Sequence, residues 1–311
     1  MALGLCQLGQ AKNIYVNHAA KGSNTGSSWQ NAYKGLKIAL NKASTNDVIL
    51  VAQGVYTPGN NVGDWFALGK FSLSGGWKVT GNKGTKNWRM YKTILSGEIG
   101  DTTKLEDNCN LVLRANDLVA MDGFIIKRGY STGYMAGGMI IDDCSPTITN
   151  CIFTDNHSQG GFSAGAAITV TGSSGSVRPK FTNCAFLYNK CSVIGGAIHT
   201  NPDDCAVTFK GCLFIGNEAV RGAAIHNGGG TINTYNCTFT LNKSEKGSVS
   251  YTTGTHTTAH VNAIAWGNNS TSSGAFIERN SGNSKSSATY SIIEKGFTGT
   301  GNSAANPMLL S

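Results

Sequence analysis

One seven-residue string occurs four times in the middle of the chain: Asn150-Cys151-Ile152-Phe153-x-x-Asn156, Asn183-Cys184-Ala185-Phe186-x-x-Asn189, Gly211-Cys212-Leu213-Phe214-x-x-Asn217 and Asn236-Cys237-Thr238-Phe239-x-x-Asn242. The cysteines are 33, 28 and 25 residues apart, and weaker copies flank the set at Asp122-Gly123-Phe124-Ile125-Ile126 and at Asn262-Ala263-Ile264-Ala265-Trp266-Gly267-Asn268. A second string follows each copy, as in Gly137-Gly138-Met139-Ile140, Gly165-Ala166-Ala167-Ile168, Gly195-Gly196-Ala197-Ile198, Gly222-Ala223-Ala224-Ile225, Gly247-Ser248-Val249-Ser250 and Gly274-Ala275-Phe276-Ile277. Each period therefore carries at least two short strands. A repeat of this length buries its apolar face only by stacking on the next copy, so the chain must wind as a solenoid.

The kind of solenoid follows from the residue types. With 41 Gly, 5 Pro and 14% charged residues, and without Leu-rich helical stretches, the periods suit strands and tight turns rather than leucine-rich repeats. Side chains alternate along a strand, so Cys151 and Phe153 point the same way, into the coil. Coils stacked about 4.8 Å apart would align Cys, Phe and Ile into continuous ladders. The repeated Asn falls where the chain turns, a position it favours because it tolerates left-handed backbone and bonds to nearby backbone. The expected fold is all-β: a single right-handed parallel β-helix, a solenoid similar to that of pectate lyases. Ladder cysteines read as small buried apolar groups. Cys144, Cys191 and Cys205 lie off the ladder, where a disulfide is open but unassigned, and no CxxC zinc pattern occurs.

The ends need covering. Trp29, Ala32, Tyr33, Leu36, Ala39, Leu40 and Ala43 recur at helical spacing with Lys34, Lys37 and Lys42 largely opposite, which predicts a capping helix over residues 28–43. A strand over Val48-Ile49-Leu50-Val51-Ala52 then opens the first coil. Residues 1–11, with Gly9 and Ala11 at signal-peptidase spacing, read as the remnant of a secretory signal, which would make Lys12 the mature N-terminus. The expected organisation is one domain: cap helix and first coil in residues 12–60, further coils in 61–311. No helix or amphipathic segment after residue 300 is available to cap the far end, so the last coil is either self-capped or followed by more chain. No run of eighteen apolar residues predicts a membrane span.

Several N-terminal strings resemble the choice-of-anchor Q domain proteins, secreted β-helix proteins of Bacteroidota: Ile14-Tyr15-Val16-Asn17, Gly26-Ser27-Ser28-Trp29-Gln30-Asn31-Ala32-Tyr33, Asp47-Val48-Ile49-Leu50-Val51-Ala52-x-Gly54-Val55-Tyr56-Thr57-Pro58 and Thr93-Ile94-Leu95-Ser96-Gly97-Glu98-Ile99-Gly100-Asp101. The Phe-x-x-Asn and Gly-Gly-Ala-Ile strings are also similar to the repeats of chlamydial polymorphic outer-membrane proteins. The resemblance implies export and a life at the bacterial cell surface or outside the cell. It implies no reaction.

Chemistry is sparse. A uronate lyase of this shape would need acidic calcium ligands and a basic group near the sugar C5 proton. The candidates are the pairs Asp142-Asp143 and Asp203-Asp204 for calcium and Lys127-Arg128 for the base. A hydrolase would need carboxylates converging on one face, and the 17 acids show no such register. The residue after each ladder isoleucine, or its equivalent, traces an outward row: Ile141, Thr169, His199, His226, Tyr251 and Glu278. That row is expected to face solvent, with His199 and His226 about 5 Å apart, and could stack on a sugar or hold a metal. The 25 Lys and Arg are scattered, which gives no nucleic-acid footprint despite the net charge of +8. The sequence thus points to an exported, non-catalytic, adhesin-like module presenting a rigid face to a glycan or to a host or neighbouring protein, with no cofactor unless calcium. Its alternative is a carbohydrate-active lyase or hydrolase of the β-helix class.

Overall fold

The computed structural model describes residues 10–133, 136–161, 164–173, 176–272 and 274–308, so most of the expected signal remnant, including Cys6, lies outside the described residues. The chain forms a right-handed parallel β-helix with three long sheets. One coil illustrates the path. Lys180–Thr182 lies in the first sheet, Asn183 turns the chain at φ 53°, and Ala185–Leu187 lies in the second sheet. After a second turn at Tyr188 (φ 54°) comes the two-residue strand Lys190–Cys191; Gly195 (φ 68°) then turns the chain into Ile198–Thr200 of the third sheet. The second sheet stacks nine strands and the third stacks eight.

The interior is built from the ladders. Phe153, Phe186, Phe214 and Phe239 are fully buried and stack ring on ring, with centroids 5.3, 4.8 and 4.8 Å apart along the series. Phe181 and Phe209 of the first sheet stack at 4.9 Å and meet this column edge-on. The repeated asparagines divide into two kinds. Asn150, Asn183, Asn236 and Asn262 hold positive φ at the corner between the first two sheets, where Gly211 replaces them at φ 59°. Asn156, Asn189, Asn217, Asn242 and Asn268 form a buried amide ladder. In it Asn189 Nδ2 donates to Asn217 Oδ1 at 3.0 Å and to the Phe153 carbonyl at 3.0 Å, and each coil repeats the pattern.

The ladder cysteines point inward as expected, and each thiol reaches the carbonyl two residues back: Cys151 to Thr149 at 3.2 Å, Cys184 to Thr182 at 3.4 Å and Cys237 to Tyr235 at 3.4 Å. A weak donor on a small apolar side chain suits a corner whose carbonyl faces the lumen. No disulfide joins any of the eight described cysteines, all of which are buried. Off the ladder, Cys144 donates to the Ala115 carbonyl, Cys205 to the Gly229 carbonyl, and Cys191 packs with Ala166 and Ala219.

The cap differs from the expectation. The helix spans only Leu36–Lys42 instead of residues 28–43, because Tyr33 is drawn into backbone pairing with Val16 and Gly35 is extended. Trp29 instead packs edge-on against Tyr15 at 5.0 Å and near Trp77 at 5.7 Å, while Leu36, Ala39 and Leu40 face the core. At the other end Ser303 folds back to pair with the last strand of the second sheet. No helix among the described residues is long and apolar enough to cross a membrane.

Candidate functional site

The outward row of the third sheet runs through Arg114, Ile140, Thr169, His199, His226, Tyr251 and Glu278, each in backbone register with the next. Ile140, not Ile141, is the member above Thr169. The first Gly-rich string is shifted by one residue, because Met139 rather than Ile140 aligns with Ile168. The row expected to face solvent is largely covered: His199, His226 and Tyr251 are only 7%, 5% and 2% exposed. Backbone at Gly228 lies against the imidazole edges, so closely that a Cβ there would come within 2.9 Å of His199 Cε1. In the coil that precedes His199, the Thr169 hydroxyl donates to the Ala164 carbonyl of its own preceding turn at 2.8 Å.

Within the row His199 Nδ1 and His226 Nδ1 are 3.0 Å apart, Tyr251 stacks on His226, and the Tyr251 hydroxyl donates to Asn280 at 2.9 Å. Burial pushes His199 down to about 4. Burial, with the His199 and Arg221 charges added, holds His226 well below its usual value. Both imidazoles are therefore neutral near pH 7, and neither is poised as a base there. Glu278 Oε2, at the end of the row, is buried without a hydrogen-bond partner among the described residues.

Lys127 and Arg128 lie elsewhere. Lys127 ends a strand of the second sheet, in register with Ser96 and Thr154. Arg128 takes a left-handed backbone (φ 59°) that turns its guanidinium into the 98–108 loop. There it forms an ion pair with Glu98 at 2.6 Å and donates to the carbonyls of Thr102 and Lys104. The acidic pairs are each engaged locally. Asp142 binds Arg114 and Thr171, and Asp143 accepts from the Ser173 backbone at 2.9 Å. Asp203 lies 3.6 Å from His256, and Asp204 accepts from Ser176 at 3.1 Å. Among the described residues no three His, Cys, Asp or Glu side chains gather where they could hold a metal ion.

The open part of the third sheet lies at its N-terminal end, where sequence reasoning placed nothing. Two hollows, about 890 and 270 Å³, meet there, and Trp65 and Arg114 line both. Trp65 is 43% exposed. It sits two residues before Ala67, which precedes Arg114 in the same outward row, so both side chains project from one face. The larger hollow extends past Lys70 and Asn116 along the cap helix; the smaller is floored by Leu111 and Ile140 and edged by Ser131 and Thr132. No carboxylate is among the described residues that line either hollow.

A family profile described as "Protein of unknown function (DUF1565)" matches residues 19–177, just over half of the chain. The chain belongs to the DUF1565 family. Trp65, Arg114 and Asp142 all lie within the DUF1565 match, whereas His199 and His226 lie beyond it. No curated protein matches the sequence. Among solved structures, pectin methylesterase PemA from Erwinia chrysanthemi is similar at a TM-score of 0.54 with 11% identity, over 95% of this chain and 93% of that one. Pectin methylesterase from carrot matches at 0.36 with 12% identity, over 89% of each chain. The first likeness places this DUF1565 protein among the parallel β-helices by fold.

Proposed function

We propose that this chain is an exported, non-catalytic β-helix protein that binds a polysaccharide segment in the groove around Trp65. The carrying observation is the meeting of two hollows at one exposed indole on a rigid sheet face. A flat aromatic surface beside hydroxyl and amide groups stacks on a sugar ring while the polar groups fix its orientation. Export and a cell-surface setting rest on the resemblance to choice-of-anchor Q domain proteins and on the N-terminal string; a glycan is favoured over a protein partner by the concave shape of the site.

A carbohydrate-active enzyme is the second reading, favoured by the likeness in fold to a pectin methylesterase. Against it stands the groove's chemistry. A glycosidase needs two carboxylates flanking the bond it cuts, whereas no carboxylate is among the described residues that line the groove, and Asp142, which anchors Arg114, has both oxygens hydrogen-bonded, to Arg114 at 2.7 Å and to Thr171 at 3.0 Å.

Affinity electrophoresis through gels containing single polysaccharides tests the proposal. Wild-type protein is expected to be retarded in at least one gel and Trp65→Ala to run freely. Methanol release from methyl-esterified pectin, or unsaturated products from any uronate polymer, would instead support the enzyme.

A further inference from the structure

We infer that the ligand of this groove carries carboxylates, and that Arg114 is the residue that reads them. The inference rests on the glycan reading above and names the class of glycan. A guanidinium has five N–H donors in a planar fork. Among the described residues one nitrogen of Arg114 is used: Nη2 donates to Asp142 Oδ2 at 2.7 Å. Asp142 in turn accepts the Thr171 hydroxyl at 3.0 Å on its other oxygen, so it is anchored on both oxygens and positions Arg114. Arg114 lines both hollows, and its side chain is about a third exposed.

Charge supports the same reading. Lys70 is exposed at the edge of the larger hollow and forms no ion pair among the described residues, and no acid lines either hollow. Lys70 thus adds a positive charge that no carboxylate among the described lining residues balances, while Asp142 offsets the charge of Arg114 and leaves it donor groups; both disfavour a cationic sugar and favour an anionic one. A planar carboxylate matches the free edge of a guanidinium in a bidentate pair, which a tetrahedral sulfate matches less well and an ammonium cannot form. The placement beside Trp65 fits a uronic acid: the ring on the indole and the C6 carboxylate on Arg114.

Binding constants for polygalacturonate, alginate, dextran and dextran sulfate, measured by calorimetry at fixed ionic strength, test this. Wild type is expected to bind at least one of the two uronates about tenfold or more tighter than dextran and dextran sulfate. Arg114→Lys keeps the charge and the contact to Asp142 but loses the fork, and is expected to erase most of that preference. Lys70→Gln, at an exposed position that does not endanger folding, is expected to weaken uronate binding severalfold and leave dextran unchanged. Dextran bound as tightly as both uronates, or a preference that survives in Arg114→Lys, would overturn the inference while leaving a glycan-binding groove. Dextran sulfate bound as tightly as the uronates would reduce Arg114 to a generic charge, which also overturns it. Absence of binding to all four polymers would remove both readings.

Discussion

His199 and His226 face each other across adjacent coils with their Nδ1 atoms 3.0 Å apart, so one ring must donate and the other accept. The pair thus fixes opposite tautomers in two neutral imidazoles and links two coils through side chains as well as backbone. A third histidine, His260, sits wholly inside the lumen, bridging the Thr234 and Ser250 hydroxyls at 2.8 and 2.9 Å. The Ser250–His260 contact has the reach of a nucleophile and its base, but its burial in the core closes it to any substrate.

These histidines set the acid side of the stability profile. His199 and His260 are pushed down to about 4 by burial, and His226 is held well below its usual value by burial and by the His199 and Arg221 charges. The unfolded chain therefore binds more protons than the folded one between roughly pH 4 and 6.5, and stability rises with pH across that window. The contribution is complete above about pH 6.5 and is lost as pH falls toward 4, on the order of 3 kcal/mol for His260 alone. Urea midpoints measured from pH 4 to 8 are expected to be flat above 7 and to fall steadily below 6.5. In His260→Gln the slope should shrink by about one proton.

The two asparagine ladders should respond very differently to mutation. Asn217→Ala strips partners from the Phe186 carbonyl, from Asn242 Oδ1 and from the backbone and side-chain nitrogens of Asn189, all buried. A loss of about 3 kcal/mol or more is expected. At the exposed corner Asn183→Gly should cost less than about 1 kcal/mol, since Gly211 already holds the equivalent turn at φ 59°. Chemical denaturation of the two variants checks the contrast.

The cysteines should be inert in the folded protein. Burial pushes the Cys151 thiol up to about 12 and those of Cys144 and Cys205 up to about 11, while contact with Cys184 raises Cys212 to about 12. At pH 8 the eight buried thiols are expected to resist a thiol-reactive dye, whereas all nine cysteines react after unfolding in denaturant. Peptide mapping of the labelled protein shows which have reacted.

Arg128 should act as a clamp for the 98–108 loop. Its guanidinium spans Glu98 at the neck and two carbonyls at the tip, so Arg128→Ala frees Thr102 and Lys104 and leaves Glu98 buried without its cation. Limited proteolysis is expected to cut this variant within the loop several times faster than wild type, with the rest of the solenoid unaffected.

The solenoid was legible because each coil repeats one alternation: Cys151 and Phe153 inward, Asn150 and Asn156 at the corners. The sheet row containing His199 and His226 was legible for the same reason, to within one residue at Ile140. Its burial was not, because strand alternation places the row on the outer face but does not show that the turns at Gly195 and Gly222 and the backbone at Gly228 pack against it. The groove was missed because Trp65 and Arg114 precede the first Cys-Phe string, and pairing alone aligns Ala67, Arg114 and Ile140. The cap helix was overextended because Trp29 and Tyr33 satisfy a helical spacing while their pairing partners, Tyr15 and Val16, come from an earlier strand.

Trp65 is the residue on which the functional account turns, and its exposure means that Trp65→Ala should fold as wild type does, which far-ultraviolet circular dichroism verifies. The decisive measurement is calorimetric titration of a polysaccharide retained by wild-type protein into both proteins. The account predicts that heat of binding is present in wild type and absent or at least tenfold weaker in Trp65→Ala. Equal affinity in the two proteins would contradict it.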